Sequence, residues 1–143
     1  MALDDTDIGF LERALELAEQ GRGCTHPNPV VGAVVVRDGQ VLAEGFHAGP
    51  GLDHAEVAAL KQVDDPRGAT VYVTLEPCCN YGRTPPCTDA LVAVGVARVV
   101  VGAIDPSPKV DGRGIAQLQA AGIAVDVAGG DIALRCKRQN NGF

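Results

Sequence analysis

The chain has no tryptophan, two tyrosines and three phenylalanines among its 143 residues. Its core must therefore be assembled from Val, Ala, Leu and Ile, and a nucleic-acid surface built on base–aromatic stacking would have few platforms. A basic excess is lacking too: 12 Lys and Arg stand against 18 Asp and Glu, a formal net charge of −6. Polynucleotide binders carry a basic face, so DNA and RNA are not expected as partners. A local basic pocket for one phosphate remains compatible with this balance. Long apolar runs are also missing. The longest, ALVAVGVARVVVGAI at 90–104, is interrupted by Gly95 and Arg98 and is too short to span a bilayer, so no membrane partner is expected. The opening MALDDTDIGFLERALELAEQ is acidic from its fourth residue and carries no uninterrupted apolar stretch, unlike a secretory signal. A cytoplasmic location is expected. Thiols stay reduced there, so the five cysteines read as metal ligands, catalytic groups or buried side chains rather than disulfides.

What is present points to one globular domain over residues 1–143, with 46% apolar residues and no internal repeat or linker. Thr6 is expected to cap a helix that runs to about Gln20, with Phe10, Leu11, Ala14, Leu15 and Ala18 on one stripe. VVGAVVV (30–36) is short and almost wholly apolar, the pattern of a strand buried on both faces. RDGQ then signals a hairpin into a second strand at 41–46. Helices are expected at 54–63, 85–95, 112–122 and from 130 onward, with strands at 69–75, 97–104 and 123–128. One hairpin followed by helical crossovers makes a mixed sheet of five strands with helices on both faces.

Function in open α/β sheets gathers at strand ends and helix starts. His54 opens the helix of HAEV, Cys78 follows the third strand, and Cys87 lies in the first turn of a helix that starts at Pro85 and Pro86. One imidazole and two thiolates are a common zinc set, and a catalytic site keeps the fourth position open. Two helix N-termini would favour the negative charge gathered there. Glu56, two residues after His54, need not touch the metal; its carboxylate can take a proton from water and hand it to a leaving amine. Bland readings compete with this one: a capping or surface histidine, buried thiols, or a structural zinc closed by Cys79, Cys24, His26 or His47. The joint pattern favours catalysis, because His-x-Glu at a helix start followed by Glu-Pro-Cys after a strand forms the minimum kit for hydrolytic deamination.

On HAE, TLEPCCNYGRTPPC and the flanking HPNPVVGAVVV, GFHAGPGLDHAEVAAL and GVARVVVGAIDPSPKVDGRGIAQLQAAGI, the sequence resembles the zinc-dependent cytidine/nucleoside deaminase superfamily. More narrowly, it resembles the deaminase domain of the bifunctional riboflavin-biosynthesis deaminase–reductase, whose mark is the longer gap between ligand cysteines, here eight residues. The resemblance implies a cytidine deaminase-like three-layer α/β/α sandwich. It implies zinc held by His54, Cys78 and Cys87, with Glu56 as acid and base. It also implies hydrolysis of the amino group of 2,5-diamino-6-ribosylamino-4(3H)-pyrimidinone 5′-phosphate, with ammonia released. Asn28, His47, Arg83 and Asp105 match positions that line the substrate pocket, and Lys109 and Arg113 are further phosphate candidates.

Two positions depart from the branch pattern: Cys79-Asn80 stands for Ser-His, and Ser107 for Asn, both expected at the pocket. A different amino-pyrimidine, or a purine base or nucleoside, is therefore the alternative substrate, and a non-catalytic zinc-stabilised binding module is the alternative class. Self-association is expected. The chain ends at RQNNGF, where a reductase domain begins in the bifunctional family; a stand-alone domain and a piece of a longer protein with a reductase domain or partner are both compatible with this. GRG at 112–114 is too short for a nucleotide loop, and no NADPH binding is expected.

Overall fold

The computed structural model describes residues 3–26, 28–79, 86–106 and 110–140. Five helices and five strands follow one another as α1 (Asp5–Glu19), β1 (Gly32–Arg37), β2 (Gln40–Phe46), α2 (Ala55–Leu60), β3 (Thr70–Val73), α3 (Cys87–Val94), β4 (Arg98–Val101), α4 (Arg113–Ala120), β5 (Ala124–Val127) and α5 (Gly130–Gln139). Each element falls where the hydrophobic pattern expects it, with shorter strands and helices than the apolar runs suggest.

One expectation is corrected. Asp4, not Thr6, caps α1: its carboxylate accepts from the Asp7 N–H at 2.8 Å, and the Asp7 carboxylate reaches back to the Asp4 N–H. This reciprocal box satisfies backbone donors that Thr6, already inside the helix, could not reach. The buried stripe of α1 comprises Leu11, Ala14, Leu15, Leu17 and Ala18; Phe10 lies at its edge and packs on Tyr72 with ring centroids 5.0 Å apart.

The sheet order is β2-β1-β3-β4-β5. β1 pairs antiparallel with β2 and β3, while β3, β4 and β5 run parallel. The β1–β2 turn carries Asp38 and Gly39, both at positive φ (54° and 77°), as a tight two-residue hairpin requires. Alternation along the strands divides the core. Ala33, Val35, Val71, Val73, Val99 and Val101 face α2, α3 and α4, whereas Val34, Val36, Tyr72 and Val100 face α1 and α5. Helices thus cover both faces of a mixed five-stranded sheet, a three-layer α/β/α sandwich. β1 is buried along nearly its whole length, which explains its unbroken apolar run.

On the α1 face, Asp7 accepts from Tyr72 Oη–H at 2.6 Å and from both terminal nitrogens of Arg98 at 3.0 and 3.1 Å. Arg98 Nε also donates to Asp126 at 2.8 Å, so one guanidinium joins α1, β4 and β5, and the Asp7 carboxylate adds β3 through Tyr72. The Arg98 hydrogen bonds hold Asp7 down at about 2, with help from Tyr72. No helix among the described residues is long and apolar enough to cross a membrane.

Candidate active site

Three elements bring the chemistry to one end of the sheet. His54 is the N-cap of α2, Glu56 lies in its first turn, and Cys87 is the first residue of α3 behind the N-cap Pro86. Cys78 sits on the segment that leaves β3. His54 Nδ1 lies 3.0 Å from Cys87 Sγ and 3.4 Å from Cys78 Sγ, and the three ligand atoms all lie within 4.8 Å of one another. A tetrahedral Zn²⁺, with bonds of about 2.0–2.3 Å, needs such atoms roughly 3.5 Å apart. The residues therefore fit zinc in chemistry and in spacing. Among the described residues no fourth His, Cys, Asp or Glu joins this group.

The sulfurs already behave as a charge-holding pair. The Cys87 backbone N–H, at the start of α3, donates to Cys78 Sγ at 3.2 Å. Hydrogen bonding from the Cys87 thiol, with help from His54, holds the Cys78 thiol down at about 4. The same bond, together with burial, pushes Cys87 up. His54 is raised, chiefly by its hydrogen bond to Cys78.

Glu56 is 3% exposed, and burial pushes its carboxyl up to about 7. A group poised there can hold a proton or release it at neutral pH. It faces a cavity of about 170 Å³ whose walls include Asn28, His47, His54, Glu76, Cys78 and Asp105. Asn28 Nδ2 donates to His47 Nε2 at 3.1 Å, and His47 Nδ1 lies 3.1 Å from the Asp53 carbonyl. The tautomer with its proton on Nδ1 satisfies both contacts. The ring of His47 meets His54 edge-on at 5.2 Å between centroids. His47 is therefore a wall of the cavity, held away from the metal group.

Asn28, His47 and Asp105 thus meet at the cavity with His54, Glu56 and Cys78, while Cys87 joins them through its grouping with His54 and Cys78. One placement differs from expectation. β2 stops at Phe46 as expected, but β4 stops at Val101 rather than at 104, so Asp105 stands in the loop several residues beyond the strand. Arg83, Asn80, Ser107 and Lys109 lie outside the described residues. Arg113 begins α4 and is exposed. Cys24 is exposed and does not belong to the metal group.

The sequence reading passed over two residues. Glu76 was noted only as part of Glu-Pro-Cys, yet it forms part of the cavity wall and accepts three backbone N–H groups. Asn140, at the end of α5, clasps Val30 with its amide, accepting from its N–H at 2.9 Å and donating to its carbonyl at 3.0 Å. That clasp fixes the segment carrying Asn28. A glutamate buried beside a proline could have drawn attention; the Asn140 partnership spans 110 positions and left no local signal.

An imidazole and two thiols that could hold a metal, with a buried carboxyl beside them, are the residue types that the zinc-dependent deaminase class uses. The chain belongs to the family described as the cytidine and deoxycytidylate deaminase zinc-binding region, which matches residues 4–103. Within that class it is similar to riboflavin biosynthesis protein RibD of Escherichia coli (strain K12), 53% identical over 138 residues, 96% of this chain and 37% of that protein. The solved structure of Acinetobacter baumannii RibD, form 2, superposes with a TM-score of 0.91 at 48% identity, covering 96% of this chain and 39% of that one. A Thermotoga maritima structure described as a diaminohydroxyphosphoribosylaminopyrimidine deaminase/5-amino-6-(5-phosphoribosylamino)uracil reductase has a TM-score of 0.86 at 45% identity, covering 94% and 39%. The chain therefore spans little more than a third of the length of these relatives.

Proposed function

We propose that residues 1–143 act as one deaminase domain that hydrolyses the amino group of 2,5-diamino-6-ribosylamino-4(3H)-pyrimidinone 5′-phosphate, a step of riboflavin biosynthesis. Water adds at the ring carbon bearing the amino group, that C–N bond breaks, and ammonia and a ring carbonyl result. The observation that carries this reading is the grouping of Cys87 with His54 and Cys78, which line one cavity with Glu56, in a chain about half identical to RibD proteins over nearly its full length.

His54, Cys78 and Cys87 would hold the zinc, which when bound lowers the pKa of water to near neutrality. Glu56 is poised at about 7 to accept a proton from that water and return it to the departing nitrogen. Burial keeps its exchange with bulk solvent slow and its charge weakly screened. Asn28, held by His47, offers an amide to the ring, and Asp105 offers a carboxylate to ring or amino N–H groups. Arg83, Asn80 and Ser107 complete the proposed substrate contacts from outside the described residues. Self-association and a cytoplasmic setting belong to the same reading.

The test is ammonia release from the phosphorylated pyrimidine by purified protein carrying about one zinc per chain. Release that disappears in Glu56→Gln, with zinc retained, is the expected result. Release from another amino-pyrimidine or purine in a parallel panel, but not from this one, would overturn the substrate assignment while leaving the chemistry. Zinc binding without turnover of any panel member would leave a binding module instead.

A further inference from the structure

We propose that Glu76 is a positioning residue for substrate recognition, clasping the Asp105 segment and the start of α4 against the ligand-bearing turn. The proposal rests on the deaminase reading above and adds a residue to its machinery.

Glu76 is buried, immediately before Pro77 and Cys78. Its Oε1 accepts from the Asp105 N–H at 3.2 Å and the Gly112 N–H at 2.9 Å, and its Oε2 accepts from the Ile115 N–H at 3.1 Å. Its own N–H donates to the Ala103 carbonyl at 2.9 Å, and the Asp111 N–H closes on the Asp105 carbonyl at 3.1 Å. One carboxylate thus ties Asp105, which lines the cavity, to Gly112 and Ile115 at the start of α4.

The first turn of α4 has no cap of its own, because its N-cap is Gly112 and no side chain there accepts a hydrogen bond. Glu76 supplies that cap from another part of the chain, where a carboxylate is also favoured by the helix dipole. Two glycines make the approach possible. Gly112 sits at φ +87°, and a Cβ on Gly114 would collide with the Pro77 carbonyl oxygen. The GRG stretch, too short for a nucleotide loop, acquires a physical reason here. With both carboxylate oxygens engaged by backbone, Glu76 acts through Asp105 rather than on the substrate, and what it sets is the distance from Asp105 to the metal-binding turn.

Glu76→Gln keeps the shape but replaces one acceptor oxygen with an NH₂ that confronts a backbone N–H. The expected result is a KM raised about tenfold or more, kcat within about threefold of wild type, unchanged zinc content, and amide exchange at Gly112 and Ile115 faster by about tenfold. Exchange in β3 should not change. Gly112→Ala strains the same clasp from the other side, since its Cβ meets open space but the positive φ disfavours an L residue. It should raise KM by about threefold. If Glu76→Gln does not fold, Gly112→Ala decides. An unchanged KM in both variants, a fall in kcat alone, or amides that stay protected would each overturn the proposal. Wild-type protein that releases no ammonia from the pyrimidine would overturn the functional reading instead, and amide exchange would still decide whether Glu76 holds the Asp105 segment.

Discussion

Glu56 and Asp7 are both carboxylates buried in this fold, on opposite faces of the same sheet, and their surroundings treat them in opposite ways. Asp7 is met by the Arg98 guanidinium, the Tyr72 hydroxyl and the Asp4 N–H, and is held at about 2. Glu56 is met chiefly by apolar burial and by sulfur, and is raised to about 7. A carboxylate whose charge is fully matched is architecture; one whose charge is left unmatched beside a metal-binding group can trade protons at neutral pH.

The sharpest way to break this contrast is to neutralise each group. Glu56→Gln should lower ammonia release by about 10³–10⁴-fold with zinc retained, measured by product assay and metal analysis. Its effect on stability should be small and favourable. Because the folded value of Glu56 is raised, its stabilising contribution is present below the ordinary carboxylate value and is lost as pH rises through about 7. Metal-free wild type should therefore melt lower at pH 8 than at pH 6 by more than Glu56→Gln does.

Asp7→Ala should do the reverse, leaving turnover intact but costing about 3 kcal/mol in urea unfolding, since Arg98 and Tyr72 lose their shared acceptor. A smaller effect follows from acid. Asp7 is depressed, so its contribution is present above its ordinary value of 3.8 and is lost as pH falls through about 2. Wild type should lose about 2 kcal/mol more than Asp7→Asn between pH 4 and pH 2, read from unfolding curves at each pH. Asp4→Ala, which removes one half of the capping box, should cost about 1 kcal/mol and leave kcat alone.

The metal group was legible because its signals are local. His54 and Glu56 share the start of one helix, and Cys78 and Cys87 flank one loop. The hairpin was legible for the same reason, since Asp38-Gly39 tolerates positive φ. The cap of α1 was misplaced because Thr6 and Asp4 are both competent caps; only the reciprocal contact with Asp7 distinguishes them. The fourth strand is expected to reach 104 because VVVGAI continues the apolar run, whereas the ladder stops at Val101.

Composition and spacing on their own determined the order of elements, the mixed sheet and the residue types that meet at the site. Those features follow from hydrophobic periodicity and turn chemistry, which act over a few residues. Tertiary structure alone decided which carboxyl group is matched by an arginine and which is buried without one, and which residues hold the cavity's walls in place. Burial, the Arg98–Asp7 pairing across 91 positions and the Glu76 clasp on Ile115 across 39 depend on segments brought together only by folding.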